Sequence, residues 1–138
     1  MTVLLDAFAV IAYFRDEPAA SEVEALLRTR DVELTAVNAA EVVDRLARHG
    51  DLDPMDLVGE LALLGVTIRP VDAPVGLLAG RLRAWHYHRD ERPVSLADCC
   101  AAAAALAGQM PLATADGPLA RLVEVERGEV IRLRESDQ

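Results

Sequence analysis

The feature that most constrains this sequence is an apolar run that ends at a carboxylate and then resumes at helical spacing. Residues 3–5 are long enough only for a buried strand, Asp6 ends that run, and Phe8 and Ile11 begin the apolar face of a helix. A strand that is apolar on both faces indicates a parallel sheet covered by helices. Such sheets bind their ligands at the carboxyl ends of the strands. Asp6 is therefore predicted to lie where an α/β protein carries out its chemistry.

The rest of the chain alternates between short strand patterns and amphipathic helix patterns. Strands are predicted near residues 32–35, 66–71, 110–113 and 130–133, and helices near 18–30, 38–50, 54–65, 74–89, 95–108 and 118–123. This alternation predicts an α/β fold with a central, mostly parallel sheet of four to five strands flanked by helices. No linker or internal repeat interrupts residues 1–138, so we expect a single domain.

The charged residues exclude several functions. All 14 basic residues are Arg, and the missing Lys rules out a Walker-type phosphate loop. It also argues against a receiver-type phospho-acceptor domain and a Schiff-base enzyme. The net charge of −9 argues at first against a nucleic-acid partner, because phosphate binding is mostly electrostatic. Four carboxylates gathered at one cation site would account for four of those nine charges and weaken this objection.

The apolar segments and the cysteines bear on location. No apolar run reaches the roughly 18 residues of a membrane span, and no basic region precedes the first apolar run, so we expect no signal peptide. Cys99 and Cys100 are adjacent, which fits neither a disulfide framework nor the usual zinc spacings. These observations favour a cytoplasmic protein.

Four acids stand at or near the starts of predicted helices, namely Asp6, Glu41, Asp98 and Asp116. Each has a structural explanation when taken alone, because acids stabilise helix N-termini. Asp6 and Asp116 can serve as helix caps. Glu41 follows Asn38 by three positions, and Asp98 follows Ser95 by three, as in a capping box.

Taken together, the four acids predict a cation site. Asp6 and Asp116 stand at the carboxyl ends of predicted strands, whereas Glu41 and Asp98 stand in the first turns of helices with apolar neighbours. Carboxylates brought together without Arg partners raise one another's pKa values. A divalent cation removes that cost, and ligands that are all oxygen suit Mg²⁺ or Mn²⁺.

The segments that carry the acids also show a family resemblance. They are Leu4-Leu5-Asp6, Val37-Asn38-Ala39-Ala40-Glu41-Val42, Leu96-Ala97-Asp98 and Thr114-Ala115-Asp116. In order and spacing they resemble the motifs of PIN-domain ribonucleases, and most of all the VapC-type toxins of bacterial toxin–antitoxin modules. The resemblance covers nearly the whole chain and implies a PIN-like fold.

The resemblance implies a divalent-metal-dependent endoribonuclease that hydrolyses RNA phosphodiester bonds. Asp6, Glu41, Asp98 and Asp116 would bind one or two Mg²⁺ or Mn²⁺ ions, and Asn38 and Thr114 match polar positions that support such a site. One departure is Ala7, because the family commonly has Ser or Thr after the first acid; we expect a supporting hydrogen bond to be missing there. The resemblance also implies a VapB-type antitoxin as partner, and a homodimer.

A segment that interleaves basic and aromatic residues offers a second feature to explain. Its possible RNA contacts are Arg81, Arg83, Trp85 and Arg89, with the Arg side chains gripping phosphates and Trp85 or Tyr87 stacking on a base. The structural alternative is an amphipathic helix with Leu82 and Trp85 in the core and a solvated charged face.

Two other functions remain open. A haloacid-dehalogenase-like phosphatase also places an Asp after its first strand, but it requires a second Asp two residues later, where this chain has Phe8. A catalytically silent PIN-like module, which binds metal or partners without hydrolysis, is the main alternative to a ribonuclease.

Overall fold

The structure is a computed structural model that describes residues 1–50 and 52–135. Within these residues, five strands form one parallel sheet in the order β3-β2-β1-β4-β5. The strands are β1 (Thr2–Leu5), β2 (Asp31–Thr35), β3 (Thr67–Arg69), β4 (Leu112–Thr114) and β5 (Val130–Arg132). The helices are α1 (Ala7–Phe14), α2 (Ala20–Thr29), α3 (Ala36–His49), α4 (Pro54–Leu63), α5 (Ala73–His86), α6 (Leu96–Gly108) and α7 (Gly117–Val125). The predicted α/β class with a parallel sheet is confirmed.

The central strand β1 is buried on both faces, as its continuous apolar run predicts. Val3 and Leu5 contribute to one core with α1, α3 and α4, whereas Leu4 packs in the opposite core with α5, α6 and α7. Side chains of a strand alternate between faces, so a strand covered on both sides must be apolar throughout. The first polar residue after this strand, Asp6, is thereby fixed at the carboxyl edge of the sheet.

Helix α6 packs closely because its middle consists of alanines. Residues 101–105 are all fully buried against the β1 face of the sheet and against α5. Since α6 joins β4 through only three residues, 109–111, it runs antiparallel to that strand. Its N-terminus, with Asp98, therefore lies at the same edge of the sheet as Asp6.

Two local predictions are wrong. Asn38 does not cap α3; Thr35, the last residue of β2, is the cap and its hydroxyl accepts a hydrogen bond from the Asn38 N–H at 3.0 Å. Phe8 does not join the core but is 41% exposed, although Ala7 and Ala9 beside it are buried, because its side chain lies on the side of α1 that faces Arg45 of α3 and an open cavity. In the described part of the chain, no helix is long and apolar enough to cross a membrane.

Candidate metal centre

Asp6 lies at the centre of the carboxyl edge, immediately after β1, and its side chain is almost wholly buried. Its Oδ1 accepts a hydrogen bond from the Ala9 N–H at 2.8 Å and so caps α1. Its Oδ2 accepts a hydrogen bond from the Thr114 hydroxyl. The capping interpretation of Asp6 is therefore correct, and both oxygens are held in fixed directions.

Thr114 connects Asp6 to the second strand-end acid. This residue ends β4, which pairs with β1 in the register Leu5↔Ala113. Its hydroxyl oxygen accepts a hydrogen bond from the Asp116 N–H at 3.0 Å while the hydroxyl proton goes to Asp6. Asp116 in turn caps α7 by accepting from the Leu119 N–H at 3.0 Å. Thr114 thus supplies the hydroxyl partner that Ala7 cannot give to Asp6.

Asn38 holds Glu41 in position from inside α3. Its Oδ1 accepts from the Thr35 hydroxyl at 2.7 Å. Its amide nitrogen donates to Glu41 Oε1 at 2.9 Å and to the backbone oxygen of Ala97 at 3.3 Å. The second of these bonds ties α3 to the first turn of α6, directly before Asp98.

Asp98 is held by a capping box at the start of α6, as its spacing from Ser95 predicts. Asp98 Oδ2 accepts from the Ser95 N–H at 2.9 Å, and the Ser95 hydroxyl accepts from the Asp98 N–H at 3.0 Å. Its side chain is mostly buried. Asp6, Asp98 and Asp116 therefore stand at helix starts on one edge of the sheet. The prediction that Glu41 stands in the first turn of its helix is wrong, because α3 begins at Ala36 rather than at Asn38 and places Glu41 in its second turn.

The four carboxylates repel one another electrostatically. The pKa of Asp6 is raised to about 7. Burial is the largest cause, the hydrogen bonds from Thr114 and Ala9 act against it, and the charges of Asp98 and Asp116 add to it. Burial also raises the pKa of Asp98, with added repulsion from Asp116 and Glu41. Among the described residues, none of the ion pairs within 4.0 Å includes any of these acids. The site therefore carries negative charge that no Arg of residues 1–50 or 52–135 pairs with at 4.0 Å or less.

These donors fit a hard divalent cation. They are all oxygen atoms, which suit Mg²⁺ and Mn²⁺. The described residues contain no ready-made group of three or more His, Cys, Asp or Glu ligands. Mg²⁺ usually takes one or two carboxylates and keeps several of its waters, so its binding does not require three protein ligands already gathered. Burial raises the pKa of the neighbouring Cys99 thiol to about 12, so this residue supplies no thiolate at neutral pH.

The basic and aromatic segment lies largely at the surface. Trp85 is 66% exposed, so its predicted place in the core is wrong, while Leu82 is fully buried as predicted. The Arg81 guanidinium lies 5.4 Å from the centroid of the Trp85 ring. Arg83 lies 4.4 Å from the centroid of the Tyr87 ring, and Arg89 is exposed in the loop that follows. The segment presents two cation–π pairs to solvent.

Sequence reasoning missed two features of this edge. Thr35 anchors Asn38, and its signal was a Thr directly before the helix, a preferred capping residue. Phe8 is exposed two residues after Asp6, with the Arg45 guanidinium 4.9 Å from its ring centroid. Its apolar character made it look like part of the helix core face, and no sequence signal marked it.

Comparisons with known proteins give a consistent family match. A PIN domain family model matches residues 3–125. No curated protein matches the chain. Among solved structures, FitAcB from Neisseria gonorrhoeae shares 23% identity and a TM-score of 0.69, covering 94% of this chain and 96% of that one.

Two further solved structures share the fold. A toxin–antitoxin complex from Klebsiella pneumoniae has 17% identity and a TM-score of 0.63, covering 83% of this chain and 86% of that one. VapC20 from Mycobacterium tuberculosis, described as a sarcin–ricin-loop-cleaving toxin, has 16% identity and a TM-score of 0.66, covering 86% of this chain and 93% of that one. At these identities the similarity shows a common fold.

Proposed function

Because the chain belongs to the PIN domain family, we propose that it is a divalent-metal-dependent endoribonuclease and the toxin of a toxin–antitoxin pair. The observation that carries this proposal is the group of four carboxylates at the carboxyl edge of the sheet. Burial and the charges of the neighbouring acids raise the pKa values of Asp6 and Asp98, and none of the four acids has an Arg partner within 4.0 Å among the described residues. Such a group costs stability unless a cation binds it.

We assign the four acids to one or two Mg²⁺ or Mn²⁺ ions. Asp6 and Asp116, at rigid strand ends, are the direct ligands; Asp98 completes the shell, and Glu41 serves a second ion or orients the attacking water. A bound ion would lower the pKa of a water molecule and neutralise charge that develops on the phosphate. The chain's own contribution is orientation. Thr114 and Asn38 support the proposal because their hydrogen bonds fix the carboxylates of Asp6 and Glu41.

We assign the exposed segment on α5 and the following loop to RNA. Arg83, Tyr87 and Leu96 line a shallow pocket, and Leu96 lies two residues before Asp98 in the first turn of α6. The segment therefore adjoins the acidic site on its Asp98 side. Its exposed aromatic rings offer faces for unpaired bases, and Arg81, Arg83 and Arg89 offer charge for phosphates.

The antitoxin assignment rests on the likeness to the solved toxin–antitoxin complex, to FitAcB and to the VapC20 toxin. We propose a VapB-type antitoxin as the partner that restrains the enzyme in the cytoplasm. A homodimer remains a prediction from the family resemblance.

The proposal is tested by cleavage of a mixed panel of structured RNAs, with Mg²⁺, Mn²⁺ or chelator, by protein shown to be free of antitoxin. Cleavage should require the metal and should be lost in Asp6→Asn. Asp53→Asn changes an exposed helix cap of the same kind, at the start of α4, and should keep full activity.

The same experiments distinguish a ribonuclease from the main alternative, a protein that binds metal without cleaving RNA. Metal binding by calorimetry without cleavage of any RNA would favour a catalytically silent PIN-like module. Failure of both metal binding and cleavage would refute the assignment of the four acids as ligands.

A further inference from the structure

A cavity of about 310 Å³ opens beside the acidic site and is not used by the proposed chemistry. It is bounded by α1 with the loop that follows it, by the segment after β4 and by the segment after β5. Phe8 and Asp116 both line it. Its size falls at the lower end of the range for small-ligand pockets, about 300–1,000 Å³. Because Asp116 belongs to both, the cavity is continuous with the proposed phosphodiester site.

Phe8 gives this cavity an exposed aromatic wall. Phe8 is 41% exposed even though burying a Phe side chain is worth about 1.5–3 kcal/mol. The Arg45 guanidinium lies 4.9 Å from the ring centroid, in a cation–π contact. Arg45 stands four residues after Glu41 on α3, so the pair also belongs to the rim of the acidic site. An aromatic ring held by a guanidinium is suited to stacking on a flat ligand.

The charges around the cavity indicate the kind of flat ligand. Arg15 and Arg134 line it, but so do Glu17 and Glu135, and Asp116 adds a further carboxylate. Arg134 is anchored to α2, since its N–H donates to Glu22 Oε1 at 2.9 Å and its guanidinium lies 3.9 Å from the same oxygen. A phosphate inside the cavity would meet these acids. A nucleobase is uncharged and carries both donors and acceptors, which match a rim of mixed charge.

We propose that this cavity binds one nucleobase of single-stranded RNA next to the scissile phosphate. The base stacks on Phe8, and Arg15 at the rim donates hydrogen bonds to its edge. Proteins that read single-stranded RNA commonly take splayed bases in this way. The assignment rests on the proposed nuclease function, and it names which part of the substrate the site recognises beyond the phosphodiester.

The test is binding of short fluorescent single-stranded oligoribonucleotides in chelator, where no cleavage occurs, measured by anisotropy. Four homopolymers and a matched abasic strand serve as probes. Stacking of one base is worth about 1–3 kcal/mol, so Phe8→Ala should weaken binding of the tightest homopolymer on the order of tenfold. Phe8→Tyr keeps the aromatic face and should restore affinity to within about twofold. Leu63→Ala, an exposed apolar change on α4, should have no effect.

The abasic strand makes the test specific for a base. Wild type and Phe8→Ala should bind it equally, because it leaves the cavity empty. Equal affinity of wild type and Phe8→Ala for every homopolymer would overturn the proposal and would favour a protein partner as the ligand of the cavity. Failure of Phe8→Tyr to restore binding would refute the stacking role of Phe8. Failure of wild type to bind any homopolymer would refute the assignment of RNA as the ligand of the cavity.

The nuclease proposal and the cavity proposal can fail separately. If the protein cleaves RNA but Phe8→Ala binds every probe normally, the cavity assignment alone is refuted. If homopolymer binding depends on Phe8 but no RNA is cleaved with metal, the nuclease assignment fails while the base-binding cavity stands.

Discussion

Replacing Asp6 by Asn should stabilise the metal-free protein, and more strongly at higher pH. Burial raises the pKa of Asp6 from 3.8 to about 7, so the folded protein holds this proton more tightly than the unfolded chain does. Folding is then favoured at low pH, and the stability of the wild type falls as the pH rises from about 4 to about 7. Asn carries no charge, so the variant lacks this loss.

The size of the effect follows from the shift in pKa. A shift of about three units corresponds to about 4 kcal/mol of lost stability at about pH 8, and to about 1.5–2 kcal/mol at about pH 5. The Asn side chain keeps the bond from the Ala9 N–H but cannot accept from the Thr114 hydroxyl through its NH₂ group. That loss costs about 1 kcal/mol. The variant should gain about 3 kcal/mol at pH 8 and under about 1 kcal/mol at pH 5.

The assay is urea unfolding of wild type and Asp6→Asn in EDTA at both pH values. Asp53→Asn is the control, because it alters an exposed cap whose side chain accepts from the Met55 N–H at 2.8 Å. Asn and Asp are about equally good caps, so its effect should be small and equal at the two pH values. If Asp6→Asn shows no difference between the two pH values, or destabilises the protein at pH 8, the reasoning about a buried, repelled carboxylate is wrong.

Three other predictions follow from the site. Mg²⁺ should raise the thermal midpoint of wild type at pH 8 but not that of Asp6→Asn; equal shifts would place the ion elsewhere. Asn38→Ala should lower the free energy of unfolding in urea by about 1–3 kcal/mol, because the Thr35 hydroxyl loses its acceptor. It should also lower metal-dependent RNA cleavage at least tenfold, because Glu41 loses the hydrogen bond that holds it. Unchanged cleavage would contradict the supporting role of Asn38. Trp85→Ala should keep the unfolding free energy within about 0.5 kcal/mol yet weaken RNA binding several-fold; a large loss of stability would show a packing role instead.

Features set by neighbours in sequence could be predicted. The position of Asp6 after β1 follows from a run that is apolar on both faces, and the capping box of Ser95 and Asp98 follows from their spacing. The cap of α3 was assigned to Asn38 instead of Thr35 because both are preferred capping residues and they stand three positions apart. Only the end of β2 decides between them, and that end depends on pairing with β1.

Features set by distant neighbours could not be predicted. On α5 the buried stripe runs through Val75, Ala79 and Leu82, and the next helical position can be either Trp85 or His86. His86 occupies it because its Nε2 lies 2.8 Å from Glu126 Oε2, beyond the end of α7. A partner 40 residues away leaves no local pattern. The exposed position of Phe8 has the same origin, because its contact with Arg45 joins α1 to α3.

The hydrogen bonds across the edge of the sheet also determine when the site can assemble. Thr114 and Asp6 are 108 residues apart in sequence, and Asn38 and Ala97 are 59 apart. β1, which carries the first acid, needs β4 as its second neighbour, and β4 is among the last strands to be synthesised. During synthesis on the ribosome, Asp6 and Glu41 are therefore made early, but the four acids cannot come together until Asp116 has emerged. Under the proposed nuclease function, a nascent chain could not cleave RNA before Asp116 had joined the other three acids.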